Sequence, residues 1–336
     1  MSAFAPAPKP ENLLARYRVL SPKAAVHVSQ LQLGAMSIGD KWDQFGNFID
    51  TANNYQDQSS EEFIGEWAEK RGIRNELVIA TKYTSNYVGR DGKTTQRVLF
   101  SGNNFKSMAM SVEDSLRKLR TSYIDILYVH WWDYDTSVEE VMIGLNNLIK
   151  QGKVLYLGVS DTPAWIVSKA NQYARDHGLS EFIIYQGAWN VRVMSRDFER
   201  KIIPMARQER MALAPWNERS DSEDERKVAS ALQRISNEVG TSHVTAVAIA
   251  YVTQKTTHVF PIIGGRKIEH LQANIDALKI TLTPEHIQEP ESLVPFSLGF
   301  PYDFFGSDSN EYGWMMKMAA WLEKQPHAKP IAPDSD

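Results

Sequence analysis

The 336 residues contain no cysteine, which excludes a disulfide framework, a thiolate metal site and a thiol nucleophile, and suits a reducing compartment. Metal and nucleotide fingerprints are missing too. There is no HExxH, no spaced metal cluster and no GxGxxG, and the single Gly92-Lys93-Thr94 has Tyr87 where a phosphate loop needs its first glycine. No stretch reaches membrane-spanning length, and Met1 to Pro10 lacks the apolar run of a secretory signal, so a cytoplasmic location is expected. Charge of one sign is scarce: 37 basic against 41 acidic residues leave a net −4 without a long run. No extended basic surface awaits a phosphate backbone, and nucleic acid is not an expected partner.

What is present is ordinary globular material, 43% apolar and 23% charged, with short β-rich runs alternating with amphipathic helical segments. That alternation implies parallel strands joined by helical crossovers. Strands are predicted at Leu31–Ile38, Asn47–Thr51, Leu77–Lys82, Tyr123–His130, Val154–Ser160, Phe182–Gln186, Met211–Pro215 and Val259–Ile263. Eight parallel strands close rather than leave edges bare, so the expected fold is α/β, a parallel (β/α)8 TIM barrel. Ser59 and Ser60 before the helix Glu61–Arg71, and Gly72 after it, supply its caps. In Met108–Leu119, Met108, Val112, Ser115, Leu116 and Leu119 share one face, while Glu113, Arg117 and Lys118 lie elsewhere. Further helices are predicted at Val138–Gln151, Pro163–His177 and Leu271–Leu278. Tyr17–Gln30 reads as a hairpin capping the barrel bottom. The expected division is a flexible segment 1–16, one barrel domain over 17–325 and a flexible tail 326–336.

In such a barrel the active site lies at the carboxyl ends of the strands. Asp50 ends the second strand, Tyr55 follows in its loop, Lys82 ends the third and His130 ends the fourth. A free phenol titrates near ~10, and an adjacent ammonium lowers that value. Lys82 is therefore expected to depress Tyr55, Asp50 to keep Lys82 charged and aimed, and His130 to hold a carbonyl oxygen. This set serves hydride transfer from a nicotinamide to a carbonyl carbon, with Tyr55 protonating the oxygen, or the reverse. Any one of the four is more often structural; their joint placement makes the catalytic reading. Trp131, Trp132 and Trp189 are candidates to surround an aromatic substrate, with core packing an equal alternative.

The segments NFIDTANNYQ, SEEFIGEW, LVIATK, SLRKLRTSYIDILYVHWWDY, GKVLYLGVSDTPAW and VFPIIGGRKIEHLQANI resemble the aldo-keto reductase superfamily over most of the chain. The likeness is to its fungal aryl-alcohol dehydrogenase and norsolorinic-acid-reductase-like branch. The resemblance implies that Asp50, Tyr55, Lys82 and His130 form the catalytic tetrad. It also implies that Ser160, Asp161 and Gln186 face a nicotinamide carboxamide and that Trp216 contacts the cofactor. Gly264, Arg266, Lys267, His270 and Asn274 match the segment holding the adenosine end, where basic groups favour a 2′-phosphate and hence NADP over NAD. Asp161 stands where asparagine is commoner and cannot donate a hydrogen bond when ionised. The implied substrates are aromatic or polyketide-type aldehydes, ketones and alcohols of fungal secondary metabolism, with no membrane partner.

Two stretches are shorter than that pattern. Between Gly39 and Asn47 only Asp40 to Gly46 remain, too few for a first crossover helix, so the first two strands are not expected to pair normally. After the seventh strand, Ala212 to Trp216 runs directly into the charged segment Asn217 to Arg226, where the family has a long loop over the pyrophosphate. The second reading is accordingly a catalytically impaired cofactor-binding or interaction paralogue.

Overall fold

Strand side chains alternate between two faces, and here that period of two decides which residues see the barrel interior. The computed structural model describes residues 6–35, 46–88, 94–191, 198–216, 223–265, 267–294 and 296–333. Strands β1 (Arg18–Ser21) and β2 (Ala24–Val28) form an antiparallel hairpin. Its Leu20, Ala24 and Val28 pack against Phe48, Val78, Ile126 and Phe260 in one buried cluster, so the hairpin caps the barrel bottom as expected. The barrel strands are β3 (Gln32–Gly34), β4 (Phe48–Asp50), β5 (Val78–Tyr83), β6 (Ile124–Val129), β7 (Val154–Ser160), β8 (Phe182–Ala188), β9 (Ala212–Trp216) and β10 (Ile262–Ile263).

All neighbouring barrel pairs are parallel, in the order β10-β3-β4-β5-β6-β7-β8-β9. Closure comes just before β10, where Val259 bridges Leu213. The Leu213 amide donates to the His258 carbonyl at 2.9 Å and the Phe260 amide to the Leu213 carbonyl at 2.8 Å. The first two barrel strands pair in ordinary register, Leu33 with Ile49 and Gly34 with Asp50, contrary to the expectation drawn from the short connection. Thirteen residues separate Gly34 from Phe48, which meets the dozen or more that a parallel connection uses. The residues of that connection from 36 to 45 lie outside the described part, as do the predicted end of the first strand, the polar loop at 89–93 and residues 217–222.

Around the barrel lie α1 (Ser59–Arg71), α2 (Phe105–Lys118), α3 (Val138–Lys150), α4 (Ala164–Asp176), α5 (Ile203–Gln208), α6 (Glu223–Glu238), α7 (Val244–Lys255), α8 (Ile268–Asp276) and α9 (Pro284–Leu293), then the short α10 (Tyr302–Phe305) and α11 (Trp314–Ala319). Gly72 caps α1 in the left-handed region at φ 66°, as its sequence signal implied. The start of α1 differs. Ser59 Oγ binds the Gln56 carbonyl and Ser60 Oγ reaches the Ala35 carbonyl, so neither serine caps the helix; both tie it to preceding chain. On α2 the five residues read as sharing one face are all buried, but Lys118 joins them, with the small, buried Ser115 and Ser111 one and two turns earlier on the same helix. Helices α6 and α7 were not foreseen. The charged residues 223–226 open an amphipathic helix whose Val228, Ala231, Leu232 and Ile235 enter the core. Within the segment 1–16, Leu13–Ala15 is a 3-10 turn and Leu14 is buried in a cluster with Leu31 and Ile263, so its end is packed rather than free.

Candidate active site

Parity builds the site. Phe48, Val78, Ala80, Ile126, Tyr128, Ile184, Ala212 and Ala214 fill the barrel, whereas Ile49, Ile79, Leu127, Val129, Leu157, Val159 and Leu213 face the helices. Continuing the inward set by two residues along each strand reaches Asp50 on β4, Lys82 on β5, His130 just after β6, Ser160 on β7, Gln186 on β8 and Trp216 on β9. Six side chains from six strands thus converge above the apolar packing of the barrel interior.

Lys82 is the hub. Its side chain is closed to solvent, with Nζ 2.7 Å from Asp50 Oδ1 and 2.8 Å from the Thr51 carbonyl. The other Asp50 oxygen accepts from Gln186 Nε2 at 2.8 Å, so a buried carboxylate is satisfied on both sides. The ammonium lies 5.0 Å from the centre of the Tyr55 ring, whose edge meets His130 at 6.0 Å between centroids. Burial alone would lower the Lys82 pKa, but Asp50 and Tyr55 more than offset it and the group is held charged. Tyr55 reverses the sequence expectation. Burial pushes its phenol up, Lys82 pulls it down, and Asp50 and Asp161 push it up again, for a net rise above 10.0. Desolvation of a phenolate costs more than one ammonium shared with a carboxylate returns. His130 is driven down to about 3, first by burial and then by Lys82, and is neutral at every physiological pH.

Of the residues implied for the carboxamide, Ser160 and Gln186 are buried and Asp161 is exposed at the rim, accepting from Ser160 Oγ at 3.3 Å. Asp161 takes a left-handed φ of 41°, which turns the chain out of β7 beside Tyr55. One hydroxyl, one carboxylate and one amide on adjacent strands form a mixed donor and acceptor set suited to a planar amide. Trp216 is half-buried at the end of β9, its carbonyl accepting from the Trp189 amide at 3.2 Å. Beyond β10, Gly264, Lys267 and His270 are exposed and Asn274 is buried, Nδ2 donating to the Gly264 carbonyl at 3.4 Å. A Cβ placed on Gly264 would meet nothing within 4 Å, so open space lies beside this basic segment, as a bound phosphate would need. Arg266 lies outside the described residues.

The three tryptophans separate. Trp131 is on the surface beside His130, whereas Trp132 and Trp189 are buried in the main core, Trp189 stacked flat on Phe198 at 5.1 Å.

Sequence reasoning missed a supporting layer. Glu61 and Lys118 form an ion pair at 2.7 Å with neither side chain open to solvent; Glu61 also accepts from Thr81 Oγ1 at 2.6 Å, and Lys118 donates to the Asn53 carbonyl at 3.1 Å. The pair braces the turn between Asp50 and Tyr55 against the strand of Lys82. It exists because α1 and α2 touch at Gly65, where a Cβ would fall 2.3 Å from the Lys118 carbonyl. Serines 111 and 115 ahead of Lys118 were the available signal.

A closed parallel barrel with a buried lysine–aspartate pair beside a tyrosine and a neutral histidine at its carboxyl end has counterparts among known proteins. Residues 40–295 match the model of the aldo/keto reductase family. An aryl-alcohol dehydrogenase [NADP(+)] of Phanerodontia chrysosporium is 49% identical over 386 aligned residues, covering 99% of this chain and all of the relative. Against the chain's 336 residues, that leaves at least 50 aligned positions without a counterpart here. Norsolorinic acid reductase B of Dothistroma septosporum is 47% identical over 86% of this chain and 84% of its own. A norsolorinic acid reductase of Emericella nidulans is 43% identical over 98% and 97%. The chain belongs to the aldo/keto reductase family and is an oxidoreductase.

Proposed function

We propose that the chain is an NADP-dependent oxidoreductase interconverting aromatic or polyketide-type carbonyls and their alcohols, with Asp50, Tyr55, Lys82 and His130 as its catalytic residues. The observation that carries this reading is the Tyr55–Lys82–Asp50 arrangement, in which an ammonium fixed at 2.7 Å by a buried carboxylate lies over the phenol ring. NADPH, when bound, supplies the hydride. Ser160, Asp161 and Gln186 would hold its carboxamide, Trp216 would lie against it, and Gly264, Lys267, His270 and Asn274 would receive the adenosine end.

The carbonyl oxygen sits between Tyr55 and His130. Tyr55, protonated at neutral pH as an ordinary phenol is and held so more firmly by burial, gives up its hydroxyl proton as charge develops on that oxygen. Lys82 stabilises the phenolate left behind, and Asp50 keeps Lys82 in place. His130, neutral, donates a hydrogen bond without adding a competing positive charge. Both the names of the relatives and the exposed Trp131 beside His130 support an aromatic substrate. No helix among the described residues is long and apolar enough to cross a membrane. The cysteine-free composition suits a reducing compartment such as the cytosol. Among the described residues the four catalytic candidates are assembled, and nothing there favours the impaired reading. The test is fluorescence titration with NADPH followed by NADPH consumption across aryl aldehydes and ketones. Binding with turnover supports the proposal; a folded protein that binds NADPH and turns over none of the panel contradicts it.

A further inference from the structure

The loop after β5 holds a polar relay that the tetrad does not include. Thr84 follows Lys82 by two residues, is closed to solvent, and takes a φ of 94°, an unusual conformation for a β-branched residue. It is held there on all sides. Its carbonyl accepts from the Gly102 amide at 2.8 Å and from Ser101 Oγ at 3.1 Å, and its Oγ1 accepts from Asn103 Nδ2 at 2.9 Å and from the His130 amide at 3.3 Å. The turn delivers Ser85 to the side of His130. Ser85 Oγ lies 3.2 Å from His130 Nδ1 and 3.1 Å from Trp131 Nε1. The Asn53 amide, in the brace under Tyr55, reaches the Ser85 carbonyl at 3.5 Å.

Proton counting gives the relay a direction. An indole nitrogen only donates, so Ser85 Oγ accepts from Trp131. The serine keeps one proton to donate, and His130 Nδ1 lies within its reach, the direction of that bond being set by the tautomer of the ring. A neutral imidazole carries one proton, and if Nδ1 accepts from Ser85 that proton is on Nε2. The tautomer matters for the reaction, because only a nitrogen bearing hydrogen can donate to a carbonyl oxygen. We propose that Ser85 is a positioning residue that fixes His130 in the Nε2–H tautomer, with Trp131 orienting the serine hydroxyl from the rim of the site. Burial and the neighbouring Lys82 keep the ring neutral, so the choice is between tautomers rather than charge states. A substrate that packs on the exposed Trp131 would press on the same relay. The inference rests on the carbonyl-reductase reading for its purpose but not for its measurement.

The experiment is a long-range ¹H–¹⁵N correlation spectrum of the full chain labelled at histidine nitrogen, without cofactor, with His130 assigned by loss of its signals in His130→Gln. The wild type is expected to show the Nε2–H pattern, Ser85→Thr to keep it, and Ser85→Ala and Trp131→Phe to move both ring nitrogens toward tautomer averaging. Reduction by Ser85→Ala is expected to fall in kcat by roughly tenfold, part of the hundred- to ten-thousand-fold that a positioned acid–base group supplies, with NADPH affinity unchanged and Ser85→Thr restoring the rate. An Nδ1–H wild type, or a Ser85→Ala spectrum identical to wild type, overturns the proposal. Should Ser85→Ala not fold, the wild-type and Trp131→Phe spectra decide alone. An Nε2–H spectrum in a protein without turnover would count against the function proposed above and leave the relay standing.

Discussion

Glu61 and Lys118 meet 2.7 Å apart where α1 crosses α2, and neither side chain touches solvent. A buried pair contributes little net stability when intact, yet removing one partner strands the other's charge. Lys118→Met and Glu61→Gln should each cost roughly 3–5 kcal/mol in urea unfolding, and the double variant should cost less than the two together. Because Lys118 also holds the Asn53 carbonyl, both single variants should lose kcat more than they lose NADPH binding.

Gly65 offers a second check on the same contact. Gly65→Ala sets a methyl against the Lys118 and Leu119 backbones and should shift α1 from α2, destabilising by about 1–3 kcal/mol as overpacking does. A variant as stable as wild type would mean that the two helices do not approach this closely.

The pH dependence of stability carries the signature of His130. Its pKa drops from 6.5 in the free side chain to about 3 in the fold. Below pH 6.5 the unfolded chain takes up a proton that the folded chain refuses, so this contribution is whole above pH 6.5 and is lost as pH falls toward 3. His130→Gln should flatten the fall in unfolding free energy between those values. Equal slopes in variant and wild type would show that the imidazole is not withdrawn from water.

Much of this was legible before any coordinate. The strand ends carrying Asp50, Lys82, His130, Ser160 and Gln186 could be placed because parallel strands read as apolar runs and end where the first polar residue of inward parity appears. The sign of the Tyr55 shift was not legible. It depends on how far burial of the phenol outweighs one shared ammonium, a three-dimensional quantity. Lys118 reads as lying off the apolar face because charge is ordinarily solvated, and its burial is made tolerable by Glu61, 57 positions earlier, and by the Asn53 carbonyl. Residue type alone groups Trp132 and Trp189 with Trp131; both are packed in the main core, and Trp132 lies past the end of β6, where strand parity no longer guides its side chain.

The preference for NADP should show at the segment after β10. Lys267 is exposed at the start of α8, and Lys267→Ala should weaken NADPH roughly fivefold, as loss of an exposed charge-assisted contact does. NADH binding should change less, and the difference should shrink at high salt. Equal weakening of both would place the 2′-phosphate elsewhere.

Tyr55 bears most directly on the whole reading. Tyr55→Phe removes one hydroxyl and retains the ring over Lys82. Turnover of an aryl aldehyde, followed by NADPH absorbance for both proteins at matched saturation, should drop at least about a hundredfold in the variant while the NADPH dissociation constant holds. Undiminished turnover in Tyr55→Phe would mean that the proton comes from another group and that the Lys82–Asp50 pair serves no phenol.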